Sequence, residues 1–300
     1  FLGDYAGKET TTTNESIYIG CNAGRCSRAA SNIFIGRAAG TGSATPANNT
    51  GTYNVFLGYY AGKNLTSGGY NIFFGFEAGL CNSSGTCNFA AGLFAARCRN
   101  SGTGIFIGKS AGMGCNGATG ADNIAIGSEA GRCGTTGDQN VLLGNAAGKC
   151  STTGAYNVFL GYEAGKCNTT GAGNIFLGSE AGGNSTVTGN ENIAIGCLSG
   201  SSLTDGCYNI FFGKNAGKNT NSGLDNIFLG RYAGENTTNC GCNVFLGSEA
   251  GRCSDGQHNI FLGYTAGKGK STVSDNTGGC NVNIGYTAGF CITSGCDNVI

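Results

Sequence analysis

Asn157–Gly173 reads NVFLGYEAGKCNTTGAG, and residue 174 opens the same phrase again as NIFLGSEAGG. Recurrence of this kind decides the fold before any single residue does. The glycine that closes "FLG" marks the register, and it occurs seventeen times from Gly3 to Gly285. Of the sixteen steps between these glycines, nine are 17 residues, three are 16, and the others are 18, 19, 22 and 22. Both long steps insert after the "AG" pair, as loops at 41–53 and 268–280. Insertions confined to one point of a repeat belong on one face of a stack.

Nearly every repeat places three apolar residues before the register glycine, the first, where present, always Ile, Val or Phe and the middle one Phe in eleven repeats. Such a triplet predicts a short β-strand with alternating faces. The expected orientation sends the first and third residues into the coil and the middle Phe out. No helical period competes, and the repeat is too short for a helix and two turns. The fold class expected is therefore all-β, a parallel β-solenoid or β-roll of about 17 coils with a ~17-residue period. The register glycine, and the glycine four residues later in all repeats but the one with Ala96, read as corners where only glycine fits without strain. Asn opens most strands, from Asn32 to Asn281. Stacked once per coil, these amides can hydrogen-bond along the axis as a structural ladder.

Composition narrows the function. Seventeen basic and seventeen acidic residues balance to zero, which argues against a polycation for nucleic acid. No apolar run reaches the roughly 18 residues of a membrane span. The chain is expected to be a single uncapped array over 1–300, cut from a longer protein.

NIAIGSEAG (Asn123–Gly131) and NIAIGCLSG (Asn192–Gly200) resemble the "NSVAIG" repeats in the heads of YadA-like trimeric autotransporter adhesins. NVFLGYEAGKCNTTG is similar to the "GYxAG" repeats of phage tail-fibre and other surface-fibre proteins. The resemblance implies a left-handed parallel β-roll, often trimeric, that serves as a stalk or adhesive head. Seventeen cysteines and the 17-residue period depart from the adhesin pattern.

The cysteines gather in columns. Cys81, Cys98, Cys133, Cys150, Cys167 and Cys291 lie just after the second glycine, and Cys87, Cys280 and Cys296 lie just before a strand. Coils ~4.8 Å apart fall inside the Cα window of about 4.4–6.8 Å that a disulfide requires. Cys133 and Cys150 could thus be bridged along the axis, whereas CNSSGTC (Cys81–Cys87) and CITSGC (Cys291–Cys296) could be stapled across their own turns. A disulfide-dense chain belongs to an oxidising, extracellular setting. With one histidine, His258, and no CxxC pair, the usual zinc, iron–sulfur and haem spacings are missing, and no metal or cofactor is expected.

Seven N-x-[ST] sequons, at Asn14, Asn48, Asn64, Asn82, Asn168, Asn184 and Asn236, are candidate glycosylation sites on a polar turn. Lys or Arg follows the second glycine in ten repeats, and Glu follows the register glycine by two in Glu77, Glu129, Glu163, Glu180 and Glu249. These recurring charges read as weak surface ion pairs, not as a paired-carboxylate active site, which needs one unique cleft.

The function expected is an extracellular structural fibre or filament shaft without enzymatic activity, disulfide-reinforced and self-associating. Its partners are copies of itself, as a lateral trimer or an end-to-end filament. Phe159, Phe176, Phe228, Phe245 and Phe261 are the candidate self-association strip, since an outward aromatic column would exceed the apolar patch usual on a monomer. The alternative is an adhesin or viral tail-fibre region that binds a receptor or glycan through its unique loops.

Overall fold

The computed structural model describes residues 1–10, 15–42, 49–100, 102–115, 118–270, 276–291 and 293–300. The chain forms two compact units, Phe1–Thr153 and Gly154–Ile300. Each is a parallel β-solenoid, as the repeat predicts, and no described residue is helical. The first unit carries β1 (Ile17–Ile19), β2 (Ile33–Ile35), β3 (Val55–Leu57), β4 (Ile72–Phe74), β5 (Asn88–Ala91), β6 (Gly104–Ile107), β7 (Asn123–Ile126) and β8 (Val141–Leu143). The second carries β9 (Val158–Leu160), β10 (Ile175–Leu177), β11 (Ile193–Ile195), β12 (Ile210–Phe212), β13 (Ile227–Leu229), β14 (Val244–Leu246), β15 (Ile260–Leu262) and β16 (Val282–Ile284).

Successive strands pair in register at equivalent repeat positions, Phe159 beside Phe176 and Phe228 beside Phe245. The phrase that opens the chain is reduced to a single parallel bridge between Leu2 and Ile19.

The strands face the opposite way from the sequence expectation. In β9, β10 and β14 the middle residue is buried and its two neighbours are half-buried. Phe159, Phe176, Phe228 and Phe245 are fully buried and Phe261 nearly so, each inside its own coil. They therefore form no outward strip, and their assignment as a self-association surface is corrected. The cause is the size of the coil. The side facing the strand is built of small residues, with Ala164, Ala181, Ala233 and Ala250 fully buried. The glycine after each alanine lies flat against the ring, so that a Cβ on Gly165 would fall 2.5 Å from Phe159. In most coils one large side chain fills the space that remains, with Ala90, Ala125 and Ala194 as small exceptions, and the rings stack at 4.7–4.9 Å for Phe159–Phe176, Phe228–Phe245 and Phe245–Phe261.

The asparagine ladder forms as expected. In the second unit the Asn192 side-chain oxygen accepts from both the backbone N–H (3.1 Å) and the side-chain amide (3.0 Å) of Asn209. Asn226 and Asn243 continue the pattern one and two coils on. Asn209 also donates to the carbonyl of Gly223 at 2.7 Å, closing its own coil. The register glycines are tight for a separate reason. At Gly161, with φ of 138°, a Cβ would meet the Gly178 carbonyl of the next coil at 2.6 Å.

A further inward column lies seven residues after the register glycine, in what reads as polar turn. Leu65, Asn82, Arg99, Asn168, Leu203, Thr220 and Thr237 are all buried there. Two left-handed positions per coil also escape the sequence reading, because most are not glycine. They fall two residues after the register glycine, as at Glu163 (φ 53°) and Thr265 (φ 51°), and just before the ladder Asn, as at Tyr156 (φ 59°) and Tyr208 (φ 61°).

Candidate functional site

With the rings turned inward, the aliphatic pairs make up the outer face of each sheet. In the second unit every outward strand position from Val158 to Ile284 is Val, Ile, Leu or Phe, without one polar residue. Most are half-buried by neighbours in the same sheet, but Ile210, Phe212, Leu229, Ile260 and Ile284 are exposed, Phe212 at 55%. Eight strands ~4.8 Å apart, with two side chains across each, give a strip of roughly 400 Å². That lies within the ~300–600 Å² of the largest patch on an ordinary monomer, the size range at which patches tend to be functional. The first unit has the same alternation, with Ile17, Ile19, Phe74, Ile105 and Ile126 exposed.

The charged columns pair as the sequence suggests. Glu129 lies between Lys149 (2.6 Å) and Arg132 (3.2 Å), and Glu249 between Lys268 (2.7 Å) and Arg252 (3.3 Å). Hydrogen bonding to Lys149 holds the Glu129 carboxyl below its ordinary range, and Lys268 does the same for Glu249. Arg99 differs from these. It is buried under the Phe106 ring at 5.0 Å and donates to the Gly120 carbonyl at 3.1 Å, while its Nε has no partner. Burial lowers its pKa to about 10.

No disulfide joins the described cysteines in the structure. Cys98 is buried and Cys81 exposed, and their sulfurs are 3.3 Å apart across successive coils. Cys133 has its thiol pushed up by burial first, with Cys150 and Cys115 near enough to add to the shift. Cys87, Cys280, Cys291 and Cys296 are exposed, and Cys150 and Cys167 are intermediate. Among the described residues no three of His, Cys, Asp and Glu group in a way that could hold a metal ion.

The sequons divide. Asn64 and Asn184 are exposed and Asn236 is half-buried. Asn82 and Asn168 are fully buried, so their reading as surface turn sites is corrected. Both occupy the inward column and cap their own turns: Asn82 Oδ1 accepts from the Gly85 N–H at 2.9 Å, and Asn168 donates to the Gly171 carbonyl at 2.9 Å. Asn14 and Asn48 lie outside the described residues.

Lys268, Gly269 and Lys270 border a groove of about 570 Å³, lined also by Arg252, Phe290 and Asn236 among others. Its lining sets these cations beside Cys253, Cys291 and the Phe290 ring, over which the Lys268 ammonium lies at 5.6 Å.

A scan against protein-family models and a search among curated proteins each found no match.

Proposed function

We propose that the chain is a structural shaft, an extracellular or surface fibre without enzymatic activity, whose coils stack within a chain and whose outward aliphatic faces associate with other copies. The purely apolar outer strip of the second unit carries this reading. It holds no charge for a charged partner to read, and its positions repeat in register, so the same strip on another copy matches it in chemistry. Its roughly 400 Å² is half of the ~800 Å² per partner of a standard interface, which suits lateral bundling of many copies better than one tight dimer. The resemblance to adhesin-head and tail-fibre repeats supports the same class of protein. Sixteen near-identical strand positions also distribute side chains evenly, where an active site needs a few that converge.

Electron microscopy of the purified chain tests the reading. Elongated assemblies broader than one coil are expected at high concentration. Dispersed single particles under all conditions would reject it. Disulfide reinforcement is part of the proposal and is checked separately by titrating thiols in unfolded, unreduced protein from its natural source, where most of the 17 should be oxidised.

A second reading, an adhesin that takes a receptor or glycan, is favoured by the groove at Lys268. With Arg252, Lys268 and Lys270 beside the Phe290 ring, it suits an anionic sugar. Salt-sensitive binding of a sulfated polysaccharide, lost on Lys270→Glu, would support it.

A further inference from the structure

We propose that Cys81 and Cys98 form a redox modification site, a dithiol that a small-molecule disulfide converts to a covalent staple between two successive coils. Their sulfurs lie 3.3 Å apart across successive coils. Both cysteines stand six residues after a register glycine, so the stack places one above the other. The backbone holds them there: Cys81 N–H donates to the Arg97 carbonyl at 2.6 Å, and Cys98 N–H to the Met113 carbonyl at 2.8 Å. Coil spacing of ~4.8 Å already lies in the Cα window of about 4.4–6.8 Å for a disulfide, so the bond needs side-chain rotation and little backbone movement.

The structure thus changes the partner suggested by CNSSGTC. Cys87 does not stack on Cys81; its N–H donates to the Gly69 carbonyl at 3.1 Å, in a different column. The turn between the two cysteines is also fixed, because Gly85 N–H is held by the buried Asn82.

Exposure assigns the order of events. Cys81 faces solvent and Cys98 is buried. The Cys81 thiolate attacks one sulfur of the reagent disulfide, forming a mixed disulfide and releasing the other sulfur as a thiolate. Cys98 then gives up its proton and attacks the Cys81 sulfur, forming the inter-coil bond and expelling the second reagent thiolate. Two protein thiols are oxidised, one reagent disulfide is reduced, and the two protons leave with the two reagent thiols. Burial, and after it Cys81, push the Cys98 thiol up to about 11, so it remains protonated until the mixed disulfide forms beside it. Joining one coil to the next matters most in a load-bearing shaft, and to that extent the purpose, not the chemistry, rests on the function proposed above.

The experiment incubates the full-length reduced chain with oxidised glutathione, alkylates the remaining thiols and maps tryptic peptides by mass. Cys81 and Cys87 share the peptide 64–97, while Cys98 is released in the dipeptide 98–99. The expected product is peptide 64–97 joined to the dipeptide, lighter by two hydrogens and separated by dithiothreitol. It should persist in Cys87→Ser and vanish in Cys81→Ser. In Cys98→Ser, glutathione should remain trapped on Cys81. A Cys81–Cys87 bond, or alkylation of both Cys81 and Cys98 in the wild-type chain, would overturn the proposal without recourse to any variant. Light scattering on the same samples reads self-association independently, so failure of the staple and failure of the shaft reading are told apart.

Discussion

The Phe176 ring lies on the Phe159 ring with centroids 4.9 Å apart and planes 6° from parallel, and both rings are fully buried. This contact places the aromatic column inside the coil, so its loss should damage the fold and not merely the assembly. Phe176→Ala leaves a cavity between the Phe159 ring and Ala194 of the next coil, opposite Gly182. A loss of about 3–5 kcal/mol is expected in urea unfolding. Wild-type stability with altered assembly would return the ring to the surface.

Asn283 occupies the aromatic position of its coil, paired beside Phe261, and both polar atoms of its buried side chain lack partners. Asn283→Phe should extend the ring stack and remove an unsatisfied amide, raising stability by about 1–3 kcal/mol. A lower melting temperature would contradict this.

Thr265 presents a similar case on the backbone. It is β-branched, left-handed at φ 51°, and its buried hydroxyl has no partner. Alanine already serves at the equivalent Ala38 and Ala146. Thr265→Ala should stabilise by about 1 kcal/mol by removing the orphaned hydroxyl and the branched Cβ. Calorimetry of the single variant is sufficient to check it.

Acid should weaken the chain through its ion-paired columns. Glu129 and Glu249 have folded pKa values below the ordinary 4.5, so the unfolded chain binds more protons in acid. Their contribution is present above the unfolded value and is lost as pH falls below 4.5 through the folded values. The double variant Glu129→Gln, Glu249→Gln should lose stability near neutral pH and show a flatter acid limb. An unchanged pH profile would mean that the pairs at Lys149 and Lys268 contribute nothing.

The period, the parallel stack, the glycine corners and the asparagine ladder were legible in the sequence because each is enforced locally and repeats. The facing of the strand was not. Ile-Phe-Leu alternation separates the middle residue from its neighbours without saying which side is inside. A signal was nevertheless present: Asn157 and Phe159 are two residues apart, so an inward ladder amide requires an inward ring. The small residues Ala164 and Gly165 point the same way, since they leave room for one large column. The inward column of Leu65, Asn82, Arg99 and Thr220 was hidden by its chemical variety. It cost two sequons their exposure, and it buried the Arg99 guanidinium, which nothing in the repeat pattern singles out. Cys81 read as a partner for Cys87 across its own turn, whereas its nearest sulfur is that of Cys98, because spacing along the chain does not show which thiols stack.

Sedimentation velocity over a range of concentrations, on the wild-type chain and on the double variant Phe212→Lys, Leu229→Lys, tests the central claim most directly. Both residues are exposed on the outer strip and lie at paired positions of neighbouring strands. The account predicts a wild-type mass that grows with concentration. It predicts a variant that stays at the mass of one chain, 30.1 kDa, while keeping its β circular dichroism. A wild-type chain that remains at that mass at every concentration, or a folded variant that assembles as readily as wild type, would contradict it.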